Sequence, residues 1–372
     1  MQLQLDNSKT YAVVLEGGGA RGAYQVGVWK ALEEAGIRYD AVAGSSVGAL
    51  NGAMMAMRRL DRAEELWHNI RFSRVMNVDE DVMRKLFTMR LKEINFRELA
   101  RHALSVLKGG GFDITPLREL LAEEVDEQAV RDSDVEFFIA TFSISDMKEL
   151  YLRAKDIEPG GLQDMLLASA YYPAFRNEPL GGKRYIDGGV QDVLPLAPLV
   201  ERGYKDILAI RVFGFGVERR VEIPEDVHVV TIAPTRKLGS VMDFSTELSH
   251  EQFRLGYFDG LRALYGLAGQ KYYVDATWTE AEAYDHLKAL VERFELYHDA
   301  PRNLRQLNED VLPRLARLVR AEGGYLDVLL RCLERMAEEV DLDPYQVRSD
   351  AEFEAQVLEA AEHHNAWVSL ML

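Results

Sequence analysis

Two short turns, each lying between an apolar run and a helical pattern, constrain the fold of this chain more than any other feature. The first is the glycine-rich turn LEGGGARG at residues 15–22, and the second is the serine-containing turn GSSVG at residues 44–48. A strand–helix–strand crossover is right-handed and makes its two strands parallel. We therefore expect both turns at one carboxyl edge of a sheet, where backbone N–H groups and a serine hydroxyl converge. The flanking patterns predict strands at 11–15 and 41–43 and helices at 23–35 and 47–59.

Composition limits the classes of partner that the protein is expected to bind. The 372 residues are 48% apolar and 28% charged, which is typical of a globular protein with a sizeable core. A formal net charge of −17 argues against a general nucleic-acid-binding protein and against adsorption of the whole surface to anionic membranes. The single cysteine, Cys332, leaves no intramolecular disulfide and suits a reducing compartment. The Cys and His residues show no metal-ligand spacing, so no metal is expected.

The hydropathy of the chain predicts a cytoplasmic protein. Residues 1–11 are polar and lack the basic flank and apolar stretch of a signal peptide. The sequence contains no run of about eighteen apolar residues, so no membrane-spanning helix is expected. Contact with a membrane would then be peripheral and would depend on a local surface.

Residues 82–108 differ from the rest of the chain, because they are basic and amphipathic within an acidic protein. The segment carries seven Lys and Arg residues against only Glu93 and Glu98, interleaved with apolar side chains. Such a pattern is typical of a helix that contacts lipid, so the segment is a candidate lid that mediates peripheral membrane contact. The alternative interpretation is that its apolar face packs on the core while its charges are solvated.

The C-terminal region has a purely helical pattern from Thr279 onward. Two capping boxes support this pattern, one formed by Thr279 with Glu282 and the other by Ser349 with Glu352. Nothing in the region indicates a chemistry. We interpret it as a helical appendage that packs on the sheet domain or mediates self-association, and the sequence does not determine the oligomeric state.

The serine turn is a candidate nucleophile elbow with Ser46 at its apex. Gly44 and Gly48 flank this serine, and small residues are needed there because a strand-to-helix turn is too tight for side chains. The N-terminus of the following helix favours developing negative charge, which suits a nucleophile. The alternative is that a serine only caps the helix, a role that fits Ser45 as well as Ser46.

A serine nucleophile needs a base, and Asp187 is the better of two candidates. It directly follows a predicted strand, and Gly188 and Gly189 would let its carboxylate approach another loop closely. The alternative is that Asp-Gly-Gly is a plain turn. The second candidate is the pair His363 and His364, whose position near the C-terminus is that of the base in an α/β-hydrolase, although their helix is polar.

The glycine turn also fits the dinucleotide-binding pattern G-x-G-x-x-G over residues 17–22. That pattern alone is weak, because a dinucleotide site also needs an acidic residue at the end of the second strand to hold a ribose. Here Asp40 precedes the second strand, which ends instead in the serine turn. The sequence therefore favours a hydrolytic site over a cofactor site.

Three motifs in this order and spacing resemble those of the patatin-like phospholipase family: LEGGGARG from residue 15, GSSVGALNG from residue 44 and DGG from residue 187. The flanking segments ASAYYPAF at 168–175 and VLPL at 193–196 are similar too. The resemblance covers roughly residues 10–275, and the family's fold implies a three-layer α/β/α sandwich around a mostly parallel sheet. It therefore implies a catalytic domain over 10–275, and the helical region over 276–372 lies outside the resemblance.

The resemblance also implies a chemistry, hydrolysis of a fatty-acyl ester of a glycerolipid without a cofactor. Ser46 would be the nucleophile and Asp187 its partner in a Ser-Asp dyad without histidine. The backbone of the glycine turn, chiefly at Gly18 and Gly19, would form the oxyanion hole. The full set of residues that the resemblance assigns to that hole is Gly17, Gly18, Gly19, Arg21 and Gly22.

The sequence departs slightly from the family pattern and leaves two rival functions open. The aspartate motif ends in Gly189 where many members have alanine, and the bulky pair Tyr171 and Tyr172 is expected to narrow the acyl pocket. Rival functions are an α/β-hydrolase-type esterase with a histidine-containing triad and a catalytically silent scaffold. Acyl transfer to an acceptor other than water would use the same residues. The sequence does not determine the head group, the acyl-chain length or the positional selectivity.

Overall fold

A computed structural model describes residues 1–87, 110–297, 303–364 and 369–370. Contacts divide the chain into two compact units, Leu5–Gly260 and a second unit that joins Met1–Gln4 to Leu261–Leu372. Of the predicted lid at 82–108, residues 88–108 lie outside the described part of the chain. The domain boundary expected between residues 275 and 276 stays a prediction.

The first unit is built on a seven-stranded, mostly parallel sheet, as predicted. The strands are β1 (Thr10–Leu15), β2 (Arg38–Ser45), β3 (Glu136–Ser143), β4 (Lys148–Arg153), β5 (Tyr185–Asp187), β6 (Asp206–Ile210) and β7 (His228–Ile232). Their order in the sheet is β4-β3-β2-β1-β6-β7, with β5 paired to β3. The pairs β1–β2, β1–β6, β2–β3 and β6–β7 are parallel, whereas β4 and β5 run antiparallel to β3.

Helices cover both faces of this sheet, which confirms the expected three-layer arrangement. The central strands are buried on both faces, and β1 is buried from Tyr11 through Leu15, because apolar layers lie above and below them. The helices of this unit are α1 (Gly22–Glu34), α2 (Val47–Ala56), α3 (Leu60–His68), α4 (Phe72–Val75), α5 (Glu80–Phe87), α6 (Thr115–Glu124), α7 (Glu127–Asp132), α8 (Leu162–Ser169) and α9 (Ala197–Glu201). The helix α10 (Thr246–Tyr265) continues into the second unit.

Each face has its own helix contacts. On one face α2 packs so closely that a Cβ at Gly52 would lie 2.7 Å from the ring of Phe137. On the other face Leu199 of α9 joins a core cluster with Ala41 and Phe138. The alternation of side chains along β2 and β3 therefore divides the core into two layers.

The second unit is mainly helical, but the expectation of a purely helical pattern from Thr279 onward is wrong. Val347–Ser349 forms a short strand, β9, which pairs in parallel with β8 (Tyr273–Asp275). A three-residue strand carries too little periodicity to be distinguished from a break between helices. The helices are α11 (Glu280–Arg293), α12 (Leu304–Gln306), α13 (Leu312–Val319) after a π-helical turn at Leu307–Val311, α14 (Tyr325–Glu339) and α15 (Asp350–His364).

Both predicted capping boxes are present. Thr279 accepts from the N–H of Glu282, whose carboxylate accepts from the N–H of Thr279. Ser349 and Glu352 make the same reciprocal pair of hydrogen bonds. Cys332 is buried in the core of this unit, and burial raises the pKa of its thiol. Within the described residues, no helix is both long and apolar enough to cross a bilayer.

We expect Gly48→Ala to destabilise the fold by about 3 kcal/mol, because a Cβ there would lie 2.3 Å from the carbonyl oxygen of Leu15. The oxygen that the Cβ would meet belongs to the backbone, so α2 and the end of β1 would have to separate. Thermal unfolding measures the effect. Gly36→Asn is the control, since its Cβ meets nothing within 4 Å and asparagine tolerates the positive φ of 72°. Equal melting temperatures for the two variants would contradict this close approach.

Candidate active site

Ser46 occupies a strained turn between β2 and α2. Its backbone adopts φ 53° and ψ −126°, a region that non-glycine residues rarely enter. A Cβ at Gly44 would lie 2.2 Å from the carbonyl oxygen of Gly48, so only glycine fits where the chain doubles back. The N–H of Ser46 donates to Ser169 Oγ at 2.8 Å, and that hydroxyl donates to the carbonyl of Ala140 at 2.6 Å. The turn is therefore held in one conformation from its neighbouring elements.

Asp187 is the last residue of β5 and lies next to Ser46 in space, although it comes 141 positions later in the sequence. Ser46 Oγ donates to Asp187 Oδ2 at 2.6 Å. The other carboxylate oxygen, Oδ1, accepts from the N–H of Gly189 at 2.8 Å. Burial raises the pKa of Asp187 to about 6, although both hydrogen bonds act in the opposite direction. The pair joins a hydroxyl to a buried carboxylate that is more basic than an ordinary aspartate.

Two amides of the glycine turn donate no hydrogen bond to the described part of the protein. Among the described residues, the N–H groups of Gly18 and Gly19 have no hydrogen-bond acceptor. The other amides of the turn are engaged: Gly17 donates to Val193 O, Arg21 to Gly18 O and Gly22 to Gly19 O. Gly19 has φ 56°, and a Cβ there would lie 2.2 Å from the carbonyl of Val241.

Two charged side chains hold the glycine turn against the loops that follow β6 and β7. The carboxylate of Glu16 accepts from the N–H groups of Val212 and Phe213 at 2.6 and 2.9 Å. The guanidinium of Arg21 donates to the carbonyls of Val212, Phe213 and Gly239. Arg21 was expected in the oxyanion hole, and its side chain is occupied by these carbonyls. Sequence reasoning missed Glu16, for which the signal was a carboxylate directly after a buried strand.

A buried polar network links the same turn to α2 and α3. Gln25 donates to the carbonyl of Glu16 at 2.6 Å, and Asn51 donates to Gln25 and to the carbonyl of Gly22. Trp67 donates in turn to the amide oxygen of Asn51 at 3.0 Å. Because these groups are buried, losing one partner would leave another unsatisfied, so the network keeps the glycine turn in register with the helix that carries Ser46.

Ser46, Asp187 and the three glycines at 17–19 line one cavity, which is otherwise mostly apolar. It encloses about 1140 Å³ of empty space, part of it open to solvent. Tyr172 borders it, whereas Tyr171 lies in the core and uses its carbonyl to accept from the N–H of Asp187 at 3.0 Å. The apolar wall comes from one face of α2 and from facing helices and includes Leu50, Met54, Leu66, Trp67, Leu117 and Leu121.

The described residues that line this cavity include no histidine. In the same unit the ring of His68 bonds to the backbone carbonyl of Glu64, and the ring of His250 bonds to the backbone carbonyl of His68. His363, one of the two alternative bases, is exposed on α15. The position next to Ser46 Oγ is occupied by the carboxylate of Asp187.

A serine on a tight strand–helix turn, bonded to a buried carboxylate at an apolar cavity, is the arrangement expected of a serine acyl hydrolase. A family model described as "Patatin-like phospholipase" matches residues 13–200, which is half of the chain. The protein belongs to the patatin-like phospholipase family.

Individual relatives match shorter stretches. "Lysophospholipase nte1" of Aspergillus terreus is 60% identical over 48 residues, which are 13% of this chain and 3% of that protein. "Patatin-like phospholipase domain-containing protein 7" of Rattus norvegicus is 29% identical over 206 residues, which are 54% of this chain and 13% of that protein. The chain thus spans at most 13% of the length of these two relatives. The solved structure of VipD from Legionella pneumophila aligns over 97% of this chain and 85% of VipD, with 12% identity and a TM-score of 0.45.

Proposed function

We propose that the protein is a serine lipid acyl hydrolase of the phospholipase A or lysophospholipase type. Ser46 is the nucleophile and Asp187 the general base of a two-residue site. The observation that carries the proposal is the 2.6 Å hydrogen bond from Ser46 Oγ to the buried carboxylate of Asp187 at an apolar cavity. Membership of the family and the names of the lysophospholipase relatives support the substrate class.

In the first step Ser46 Oγ bonds to the acyl carbon of the ester while its proton passes to Asp187 Oδ2. The carbonyl oxygen becomes an oxyanion, and collapse breaks the bond to the leaving alcohol, which takes the proton from Asp187. Water then attacks the acyl–Ser46 ester, again giving its proton to Asp187, and the fatty acid leaves as Ser46 recovers its hydrogen. Acyl transfer to another alcohol would follow the same sequence with that alcohol in place of water.

Burial is what makes an aspartate an adequate base for this chemistry. An ordinary aspartate binds a proton too weakly to help a hydroxyl lose one, whereas a pKa of about 6 brings Asp187 closer to the working pH. The hydrogen bond from Gly189 fixes the carboxylate so that Oδ2 faces Ser46. Asp187 therefore combines raised basicity with fixed orientation.

The N–H groups of Gly18 and Gly19 are our choice for the oxyanion hole, because both residues line the cavity and their N–H groups have no acceptor among the described residues. Gly17, Arg21 and Gly22 then shape the turn rather than bind the oxyanion. One missing donor in such a hole reduces the rate on the order of 10²–10³-fold. The clamp by Glu16 and Arg21 holds these donors in place before substrate arrives.

The experiment that tests this proposal combines covalent labelling with turnover. A fluorophosphonate probe should phosphonylate Ser46, and digestion with mass spectrometry should locate the added mass on the peptide that contains it. The same preparation should hydrolyse p-nitrophenyl esters and a phospholipid, with a preference for long acyl chains. A protein that is neither labelled nor active would instead support the scaffold. A labelled protein that depends on His363 would support the α/β-hydrolase type.

The apolar cavity predicts how acyl-chain length is selected. Lining residues Val47, Leu50 and Met54 share one face of α2, and eight residues of helix from Ser46 to Met54 span about 12 Å. We expect Met54→Phe to lower kcat/KM for long-chain p-nitrophenyl esters roughly 10–100-fold, with the short-chain ester little affected, because the ring fills the far part of the cavity. Met54→Leu is the control of similar volume, and an equal loss on short and long esters would contradict this assignment.

A further inference from the structure

Exposed apolar side chains collect at the carboxyl edge of the sheet, beside the cavity that contains Ser46 and Asp187. In the loop after β6, which we call the 213–217 loop, Phe213, Phe215 and Val217 are 56%, 83% and 56% exposed. Val190, next to the Asp187 motif, is exposed too, and so are Ile144 and Met147 in the turn after β3. Of the eight large exposed apolar side chains described in the first unit, these six follow strand ends at this edge. The distribution is concentrated where the candidate active site lies.

The 213–217 loop is held rigidly although its side chains are exposed. On one side Glu16 and Arg21 bond to the backbone of Val212 and Phe213. On the other side the N–H of Val217 donates to Gly189 O at 2.9 Å, and its carbonyl accepts from Val193 at 2.7 Å. Apolar side chains that project from a pinned loop cannot be withdrawn by a small rearrangement, so they present a preformed surface.

This surface is continuous with the cavity. Phe215 is the most exposed of the three side chains and also lines the cavity that contains Ser46 and Asp187. A surface that covers Phe215 would therefore lie against a part of the cavity wall that is exposed to solvent.

The size and the charge of this surface argue for a lipid surface as its occupant. An aromatic side chain has about 150–250 Å² of surface, so the three side chains expose on the order of 300–400 Å². That is well below the roughly 800 Å² that each partner buries in a stable protein interface.

The loops 211–220 and 234–243 carry five basic residues and two acidic ones in a chain of net charge −17. Two of the five basic residues, Arg211 and Arg219, are paired with Glu16 and Glu149. The edge is therefore close to neutral and does not repel lipid of either charge.

We propose that the 213–217 loop inserts Phe213, Phe215 and Val217 into a lipid surface and thereby places the opening of the cavity against that surface. The proposal rests on the proposed function for its choice of lipid, and it concerns residues outside the candidate lid at 82–108. Binding depends on apolar insertion, so vesicles of zwitterionic lipid bind nearly as well as anionic ones.

The test is vesicle binding of the full chain, measured by co-sedimentation with ether lipids that cannot be hydrolysed. One set of vesicles is diether phosphatidylcholine, and the other contains equal parts diether phosphatidylcholine and diether phosphatidylglycerol. We expect Phe213→Asn with Val217→Ser to lower the partition coefficient about tenfold on both. Asparagine suits the positive φ of Phe213, 49°. Val217→Trp should raise the coefficient, since tryptophan favours the membrane interface.

Ile223→Ser is the matched control, because Ile223 is a large apolar residue, 41% exposed, beside the turn Pro224–Val227 that leads into β7 at the opposite edge. Its binding should equal that of the wild type. Wild-type binding by the double variant, an equal loss in Ile223→Ser, or no gain in Val217→Trp would each overturn the proposal. So would a wild-type dimer that becomes monomeric in the double variant without losing vesicle binding, which would assign the surface to a second copy.

Hydrolysis of a short, monomeric p-nitrophenyl ester separates the two proposals. A wild-type protein that binds vesicles through the 213–217 loop but never cleaves this ester retains the docking surface and loses the proposed function. A protein that cleaves the ester through Ser46 but whose variants bind vesicles like the wild type retains the function and loses the docking surface.

Discussion

Replacing Asp187 by Asn is expected to reduce kcat for ester hydrolysis on the order of 10³–10⁴-fold while making the folded protein more stable at neutral pH. The loss follows because an amide cannot take the proton of Ser46 Oγ. The geometry should survive, since the amide oxygen can still accept a hydrogen bond and the two side chains have nearly the same shape.

The gain in stability follows from the raised pKa. The folded protein holds the carboxyl at a pKa of about 6, against 3.8 for an ordinary aspartate, so folding favours the protonated form. Between these two pH values the folded state binds more protons than the unfolded state, and stability falls as the pH rises. Above pH 6 the full cost of the buried charge is present, on the order of 2–3 kcal/mol. Asp187→Asn removes that cost, and the gain should shrink as the pH falls toward 4.

Urea unfolding of both proteins at several pH values measures this difference. An Asp187→Asn variant that is less stable than the wild type at pH 8 would show that the carboxylate stabilises the fold instead of straining it. Turnover near the wild-type level would remove Asp187 from the role of base and direct attention to His363 and His364.

The same ionisation should appear in the pH profile of the wild type. Asp187 must be ionised to accept a proton, so kcat/KM should rise tenfold per pH unit below about pH 6 and level off above it. A histidine base would give a pH profile with a similar midpoint, so variants are needed to distinguish Asp187 from a histidine as the base. The double variant His363→Gln with His364→Gln should keep the profile, and the residual activity of Asp187→Asn should lose the acidic limb.

Ser46→Ala is expected to reduce kcat on the order of 10⁴–10⁶-fold and to abolish fluorophosphonate labelling, because no other atom can form the acyl intermediate. Alanine keeps the Cβ, so the substitution leaves the backbone strain of the turn unchanged. The fold should therefore be retained, with a change in melting temperature of only a few degrees. Assays on short and long p-nitrophenyl esters and on a phospholipid measure the loss for each substrate class.

Ser45→Ala is the matched control, because Ser45 precedes Ser46 in the same turn and was an equal candidate for a capping role. Ser45 is fully buried, and its Oγ has no hydrogen-bond partner among the described residues. Its removal should leave turnover within a few-fold of the wild type. If Ser45→Ala lost activity as strongly as Ser46→Ala, the two serines would have to act together and the nucleophile assignment would fail.

Much of the fold could be predicted because its signals are local. The two turns, the strands that precede them and the helices that follow were expected from apolar runs and from glycines. Those glycines are required because backbone atoms lie within about 2–3 Å of where their Cβ would be, from the same turn at Gly44 and from the end of β1 at Gly48. The capping boxes were expected for the same reason, since a serine or threonine and a glutamate three residues later form them without help from the rest of the chain. Strand β9 was missed because three residues carry no usable period.

The candidate site too could be predicted only in part. Ser46, Asp187 and the glycine turn were identified from their motifs, whereas the distance between Ser46 and Asp187 depends on β5 pairing antiparallel with β3 beside β2. No pattern near residue 187 encodes that pairing. The roles of Glu16 and of the exposed 213–217 loop were missed because the contacts of both depend on β6 lying beside β1.

By itself, the sequence of this protein determined the family, the parallel sheet and the residue types at its carboxyl edge, because tight turns and buried strands restrict composition locally. The tertiary structure alone decided which amides of the glycine turn remain without an acceptor, how strongly the carboxyl of Asp187 is desolvated and which side chains line the apolar cavity. These properties depend on distances between segments that are far apart in the chain, and such distances are set by packing rather than by any one stretch of residues.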